Sequence, residues 1–244
     1  MGLSVVVGHL ANVIANDPEE AEIALVNFER LDDALVAEGC DRLNEPLECE
    51  FWEAKMIGYS GLHALRELAA MSWKGQNIPH ETLLDGSQRQ CANALSREFF
   101  EHLSGRGNFT FIGRAFRQIF KVKEKPNQPP FVHLSVHSDC DGYYVPVAFE
   151  TPLVPKRFTK GSEHLWPLGS VMRLEAEVNQ LARHLEIPTG LQHDDEKLHA
   201  IIGTPDRTQI GALWLAQPIA AHACLVLREA CRRSLCTGAA IHFC

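Results

Sequence analysis

The sequence predicts an α+β fold in which a mixed or antiparallel sheet is covered by several helices. Three observations lead to this prediction. The segment after Asp17 has apolar residues at helical spacing. Residues 49–57, CEFWEAKMI, alternate well enough between apolar and polar side chains to be a strand. Residues 131–149 hold two further strand-like stretches on either side of Asp141 and Gly142, which predicts a β-hairpin.

The first long helix is predicted by its start and stop signals. Asp17 can cap it, Pro18 suits its first position, and the two glutamates that follow favour the positive end of the helix dipole. Gly39 can end the helix. Residues 3–14, before it, fit either a strand or a helix. An apolar stripe at helical spacing is expected on this helix; it includes Ile23, Val26, Leu31 and Leu35.

The middle of the chain continues with predicted strands and helices. After the strand at 49–57, GYSG turns the chain into a helix over 62–73 that Ser60 would cap. Residues 88–103 predict another helix. Residues 105–130 are basic, carry interleaved phenylalanines and end in prolines. We therefore expect a single α+β domain over residues 1–244, with a possible basic excursion at 105–130.

The predicted hairpin near 131–149 follows that loop. In FVHLSVHS, the apolar residues share one face of the strand and the polar ones share the other. Residues 143–149 return as its partner, and Pro146 indicates a sheet edge or a bulge because it has no amide donor.

The C-terminal third predicts two helices and a closing strand. Ser170 can cap the first of these helices, and residues 219–236 form the second, with Gly238 at its end. The last six residues, AAIHFC, suit a short strand.

Composition limits the classes of function. The 244 residues carry a formal net charge of -8 and are 45% apolar. Negative charge repels nucleic-acid phosphates and suits a basic protein partner, such as a toxin, so binding to nucleic acid is disfavoured. Uninterrupted apolar runs are too short for a membrane span, and eight cysteines without a CxxC pair predict reduced thiols in a soluble, cytoplasmic protein.

The hairpin turn offers one candidate site. His137, Asp139 and Asp141 carry donor atoms that suit a transition metal, if further ligands come from elsewhere. An EF-hand alignment fails, because Ala148 stands where that loop needs a glutamate. Turn chemistry explains the same residues without a ligand, since aspartates accept hydrogen bonds from nearby amides.

A second candidate site lies in GYSGL, residues 58–62. It resembles the GxSxG nucleophile elbow between a strand and a helix, but Gly61 comes one position early. His63 would lie in the first helical turn beside Ser60 and could orient or deprotonate it. The binding candidates from both regions are His137, Asp139, Asp141, Tyr143, Tyr59, Ser60 and His63. No metal site, cofactor or catalytic residue is assigned.

Three strings resemble an uncharacterised family of bacterial proteins: GYSGLHALREL, HSDCDGYYVPVAF and SLCTGAAIHFC. This resemblance implies no activity. In size and charge the chain is also similar to immunity proteins that neutralise polymorphic toxins. The leading hypothesis is therefore a binding protein of the immunity-inhibitor type. The alternative is a hydrolase, metal-dependent through His137, Asp139 and Asp141 or serine-based through Ser60 and His63, so enzymatic activity stays open.

Overall fold

The structure is a computed structural model of the protein. It describes residues 3–80, 95, 98–99, 130–137, 142–153, 167–203 and 211–244. Its strands and helices follow one another in this order: β1 (Ser4–Val7), α1 (His9–Asn16), α2 (Pro18–Ala37), β2 (Trp52–Lys55), α3 (Gly58–Trp73), α4 (Val132–Val136), β3 (Tyr143–Val145), β4 (Gly169–Ser170), α5 (Val171–His184), α6 (Glu196–Gly203), α7 (Leu213–Ala216), α8 (Pro218–Thr237) and β5 (Ile241–Phe243).

The strands form one mixed sheet in the order β2-β1-β5-β3-β4. β1 pairs antiparallel with β2 on one side and with β5 on the other. β3 pairs antiparallel with β5 and parallel with β4. The first and last described strands therefore lie side by side in the sheet. The prediction of an α+β fold with a mixed sheet and several helices is confirmed.

Helices cover both faces of this sheet, and strand alternation divides the core between them. Tyr144 points to the face covered by α3, α5 and α8, where it joins the largest apolar cluster. Its neighbours Tyr143 and Val145 point to the opposite face, where α1 and α2 pack. The chain therefore has two apolar cores on either side of one sheet.

α2 begins as the sequence predicts. The Asp17 carboxylate accepts the Glu20 amide at 3.2 Å, and Pro18 occupies the first turn. Gly39 takes a left-handed φ of 79° just beyond the helix end. The predicted apolar stripe is only half right. Leu31 and Leu35 are fully buried, whereas Ile23 and Val26 are 57% and 44% exposed.

The predicted first strand of the hairpin is wrong, because residues 132–136 form the short helix α4. Distant side chains bind both of its ends. The Glu177 carboxylate accepts the amides of His133 and Leu134 at 3.1 and 2.8 Å. The Arg66 guanidinium donates to the carbonyls of Leu134 and His137 at 2.8 and 2.7 Å. These two side chains satisfy the end groups of a helix that is too short to stand alone.

Two predicted helix caps also differ from the structure. α3 begins at Gly58 with Ile57 before it, so Ser60 lies inside the first turn and does not cap the helix. Ser170 does occupy the cap position of α5, but its hydroxyl donates to the carbonyl of Val147 at 2.7 Å. Both serines lie close to a helix start, as the sequence indicates, but neither side chain caps it.

Other predictions fall largely or wholly outside the described residues. Only three residues of the predicted helix at 88–103 are described, and all but residue 130 of the basic segment at 105–130 lies beyond them. Within the described ranges, no helix combines the length and the apolar character needed to cross a bilayer.

Candidate functional site

The predicted polar strand face would expose His137 to solvent, but the structure buries this side chain. His137 is 3% exposed, and its ring stacks on Tyr144 with the centroids 3.9 Å apart. Its Nε2–H donates to the carbonyl of Tyr143 at 3.1 Å, since a carbonyl can only accept. Asp139 and Asp141 lie outside the described residues. Among the described residues, no group of three or more His, Cys, Asp or Glu side chains could hold a metal ion.

The close approach of His137 explains why Gly142 is a glycine. Its φ of 98° lies in the left-handed region, where other residues are strained. A Cβ atom there would also come within 3.1 Å of the His137 ring. This end of the predicted turn is therefore packed against the buried imidazole.

Tyr143 and His137 are neighbours in space, but their side chains lie on opposite faces of the sheet. Tyr143 stacks on His242 with centroids 4.5 Å apart and an interplanar angle of 9°. Phe28 of α2 meets the Tyr143 ring edge-on at 5.3 Å. Tyr143 thus helps to anchor α2, and it does not share a pocket with His137.

The second predicted site lies in the first turn and a half of α3. The rings of Tyr59 and His63 lie 6.4 Å apart, and Ser60 is half-buried inside the helix. A nucleophile elbow needs its serine on the sharp turn between strand and helix. Ser60 lies past that turn, so the geometry gives the serine form of the hydrolase hypothesis no support.

An uneven distribution of charge marks a different surface. Residues 17–53 contain 13 Asp and Glu but only 2 Lys and Arg, a formal charge of -11. The whole chain is -8, so all remaining residues together carry +3. The acidity is therefore concentrated in α2 and the loop that follows it.

The exposed side of α2 carries a row of carboxylates that we call the acidic ridge, formed by Glu19, Glu22, Glu29 and Asp33. Their spacings of three, seven and four residues place them on one side of the helix, over about 21 Å. From Asp17 to Asp33 there are seven carboxylates in about 24 Å, or about one per 3.5 Å. One strand of B-DNA carries about one phosphate per 3.4 Å.

Three carboxylates of the ridge keep their charge available to a partner. Within the described part of the chain, no salt bridge reaches Glu19, Glu22 or Glu29. Asp33 lies 3.8 Å from Arg42, but its side chain is 80% exposed, so this contact is weak.

Other acidic residues of this region serve the fold instead. Asp32 accepts the amide of Leu43 at 2.6 Å and holds the loop against the helix. Glu45 accepts the amide of Ala240 at 2.8 Å. Burial, with some repulsion from Asp32, raises the pKa of Glu45 to about 8, so it contributes little negative charge at pH 7.

The acidic ridge is held by a well-packed helix. On the opposite side of α2, Phe28, Leu31 and Leu35 are buried in the core that α2 shares with Tyr143 and Val145 of β3. This packing fixes the helix on the sheet, so the carboxylates stand on a rigid support. None of the predicted site residues belongs to the ridge. The signal that could have found it is the charge asymmetry along the chain, which a single net charge conceals.

Comparison with known proteins gives one result. A family model described as "Putative DNA-mimic protein" matches residues 1–243. No curated protein and no solved structure matches the chain.

This match corrects the predicted partner. The sequence led us to expect a basic protein such as a toxin as the partner, and it disfavoured any link to nucleic acid. Disfavouring nucleic acid was wrong, because a DNA-mimic family is connected to nucleic acid through the proteins that bind DNA. Negative charge does repel DNA itself. The same charge allows a protein to take the place of DNA on a basic surface.

Proposed function

Because the chain belongs to this DNA-mimic family, we propose that it binds proteins that recognise DNA, presenting carboxylates where DNA presents phosphates. The acidic ridge supports this proposal. The seven carboxylates from Asp17 to Asp33, four of which form the ridge, have a linear charge density close to that of one DNA strand. The partner would supply the Lys and Arg side chains that otherwise contact phosphates. Carboxylates accept charge-assisted hydrogen bonds from these side chains as phosphates do.

The observation that carries the proposal is the concentration of charge in one continuous region. Residues 17–53 carry -11 while the rest of the chain carries +3, and the largest element of this region is a single helix, α2, with one side exposed. An acidic protein without a specific partner has no need for this separation. A concentrated field does speed association with a basic surface.

Competition with DNA follows from the proposal. A partner whose basic surface is covered by α2 could not contact phosphates at the same time. Its binding to the protein and to DNA should therefore be mutually exclusive, and both should weaken with added salt.

Elution from DNA-cellulose tests the proposal. Proteins from a lysate of the cells that carry the gene are first retained on the DNA matrix and then eluted with the purified protein. We expect the wild type to release at least one DNA-binding protein, and the Glu22→Gln/Glu29→Gln variant to release much less. The control, Asp194→Asn/Glu196→Gln, removes the same charge from exposed positions outside the ridge.

Two results would count against the proposal. Failure of the wild type to release any protein from the matrix would contradict the function itself. Equal release by the wild type and both variants would show that net charge acts without the ridge.

Inhibition of a toxin, the immunity-type function considered from the sequence, is a narrower form of this proposal. It requires that the released partner be toxic when it is produced alone and harmless when it is produced with this protein. Growth of cells that express the partner with and without the protein tests that addition.

A further inference from the structure

The region that carries the acidic ridge also carries most of the exposed large apolar side chains. Nine such side chains are exposed in the described residues, by 38% to 57%. Seven of them lie between residues 14 and 51: Ile14, Ile23, Leu25, Val26, Val36, Leu47 and Phe51. Scattered apolar residues are ordinary on a protein surface, but concentration in one region marks an interaction site.

Two of these side chains lie within the acidic ridge. Val26 is four residues after Glu22 and three before Glu29, so it stands between them on the same side of α2. Ile23 is four residues after Glu19 and three before Val26, so the two apolar side chains adjoin. Ile23 is the most exposed large apolar side chain among the described residues.

Charge decides what could cover this face. A second copy of the chain would place two regions of formal charge -11 against each other, which opposes association. A basic protein surface would gain electrostatic attraction and also bury the apolar side chains. The occupant that fits is therefore a basic protein that has apolar side chains of its own among its Lys and Arg residues.

We infer that α2 is a two-part docking surface, on which the ridge carboxylates attract the partner and Ile23 and Val26 anchor it. This inference rests on the proposed function and narrows the class of DNA-binding protein that could be the partner. A DNA backbone offers no comparable apolar group between its phosphates. The partner is a DNA-binding protein whose DNA-contacting surface includes exposed apolar side chains, as in proteins that insert apolar wedges between base steps.

The two parts of the surface have different physical signatures. Contacts between charges weaken as salt rises, because the ions screen them. Apolar contacts do not depend on screening in this way, and they mainly slow dissociation. The anchor would allow this protein to hold its partner at a salt concentration at which DNA is released.

The test uses the DNA-binding protein released from DNA-cellulose, after purification. Its Kd is measured by surface plasmon resonance between about 50 mM and about 500 mM NaCl, a range over which surface charges become strongly screened. We compare the wild type with Ile23→Ser/Val26→Ser and with Glu22→Gln/Glu29→Gln. The control is Met172→Ser/Leu235→Ser, two similarly exposed apolar residues on α5 and α8.

We expect the Ile23→Ser/Val26→Ser variant to bind at least about tenfold more weakly at every salt concentration, with an unchanged slope of log Kd against log salt. The carboxylate variant should instead lower that slope. The control should bind as the wild type does. Circular dichroism and thermal unfolding confirm that each variant is folded.

The outcomes separate the inference from the proposed function. If only the carboxylate variant loses affinity, the inference is overturned and the proposed function stands. If neither variant loses affinity, the inference is overturned and the ridge is not the surface that binds. If no partner is released from DNA, the proposed function fails and the inference fails with it. A wild-type dimer in sedimentation velocity that Ile23→Ser/Val26→Ser dissociates would also overturn the inference, since a second copy would then cover this face.

Discussion

α2 and α8 are both helices of 20 residues on the same sheet, yet they differ in burial and in how their charges are paired. α8 buries 12 of its residues among α3, α5 and the strands, whereas α2 buries 6. Their charges differ in the same sense. On α8, the Glu229 carboxylate accepts hydrogen bonds from Arg232 and Arg233. On α2, the ridge carboxylates Glu19, Glu22 and Glu29 have no salt bridge in the described part of the chain.

The difference shows how the position of a helix in the fold affects what its side chains can do. α8 is enclosed, and where it reaches water Glu229 pairs with Arg232 and Arg233, while Arg233 also pairs with Glu50. α2 lies on the outside of the second core and has solvent along its whole length, so its charges and apolar groups are available to a partner. The fold therefore separates a structural face of the sheet from a face that can bind.

The largest effect should come from truncating a leucine on each helix. Leu227 on α8 is fully buried, whereas Leu25 on α2 is 39% exposed. We expect Leu227→Ala to lower the free energy of unfolding by about 2–5 kcal/mol, because it leaves a cavity in the core. Leu25→Ala should cost less than about 1 kcal/mol. Urea denaturation of both variants measures the difference, and similar losses would mean that α2 is packed as tightly as α8.

The buried carboxyl beside α2 should give a smaller, pH-dependent effect. The pKa of Glu45 is raised to about 8 by burial, so the folded state holds a proton that the unfolded state releases at lower pH. The contribution of Glu45 to stability should therefore fall as pH rises from about 4.5 to about 8, by a few kcal/mol at most. Glu45→Gln should remove this contribution, since glutamine does not ionise. Burial also raises the pKa of Glu177 to about 8, so a similar contribution from Glu177 should remain in the variant.

Thermal unfolding of the wild type and Glu45→Gln across that pH range checks this prediction. The change in stability with pH is the quantity to compare, because the substitution also alters the hydrogen bond from Ala240. Parallel pH profiles for the two proteins would show that Glu45 is not the group that titrates.

The sequence predicted α2 and β5 well because their signals are local. Asp17, Pro18 and Gly39 define the ends of α2 without help from distant residues. α4 could not be found in this way. Its alternating sequence suits a strand, and the groups that make it helical are Glu177 and Arg66, each more than 40 residues away.

The acidic ridge was within reach of the sequence, but the apolar anchor was not. Counting charges along the chain separates residues 17–53 from the rest, and helical periodicity places the carboxylates on one side. The same periodicity placed Ile23 and Val26 with the core stripe. Their exposure depends on how α2 is turned on the sheet, which Phe28, Leu31 and Leu35 decide by packing on that face.

The smallest effect should come from removing one carboxylate charge on each helix. Hydrogen bonds from Arg232, together with those from Arg233, lower the pKa of Glu229 to about 2. Its contribution to stability is therefore present above about pH 4.5 and is lost as pH falls toward 2. Glu229→Gln should lower the free energy of unfolding by only about 1 kcal/mol at pH 7, because solvent screens part of these contacts.

Glu29→Gln should change the free energy of unfolding by less than about 0.5 kcal/mol, with a slight gain at low salt from reduced repulsion along the ridge. Urea denaturation at low and high salt measures both, and a clear loss for Glu29→Gln would mean that this ridge carboxylate supports the fold instead of standing ready for a partner.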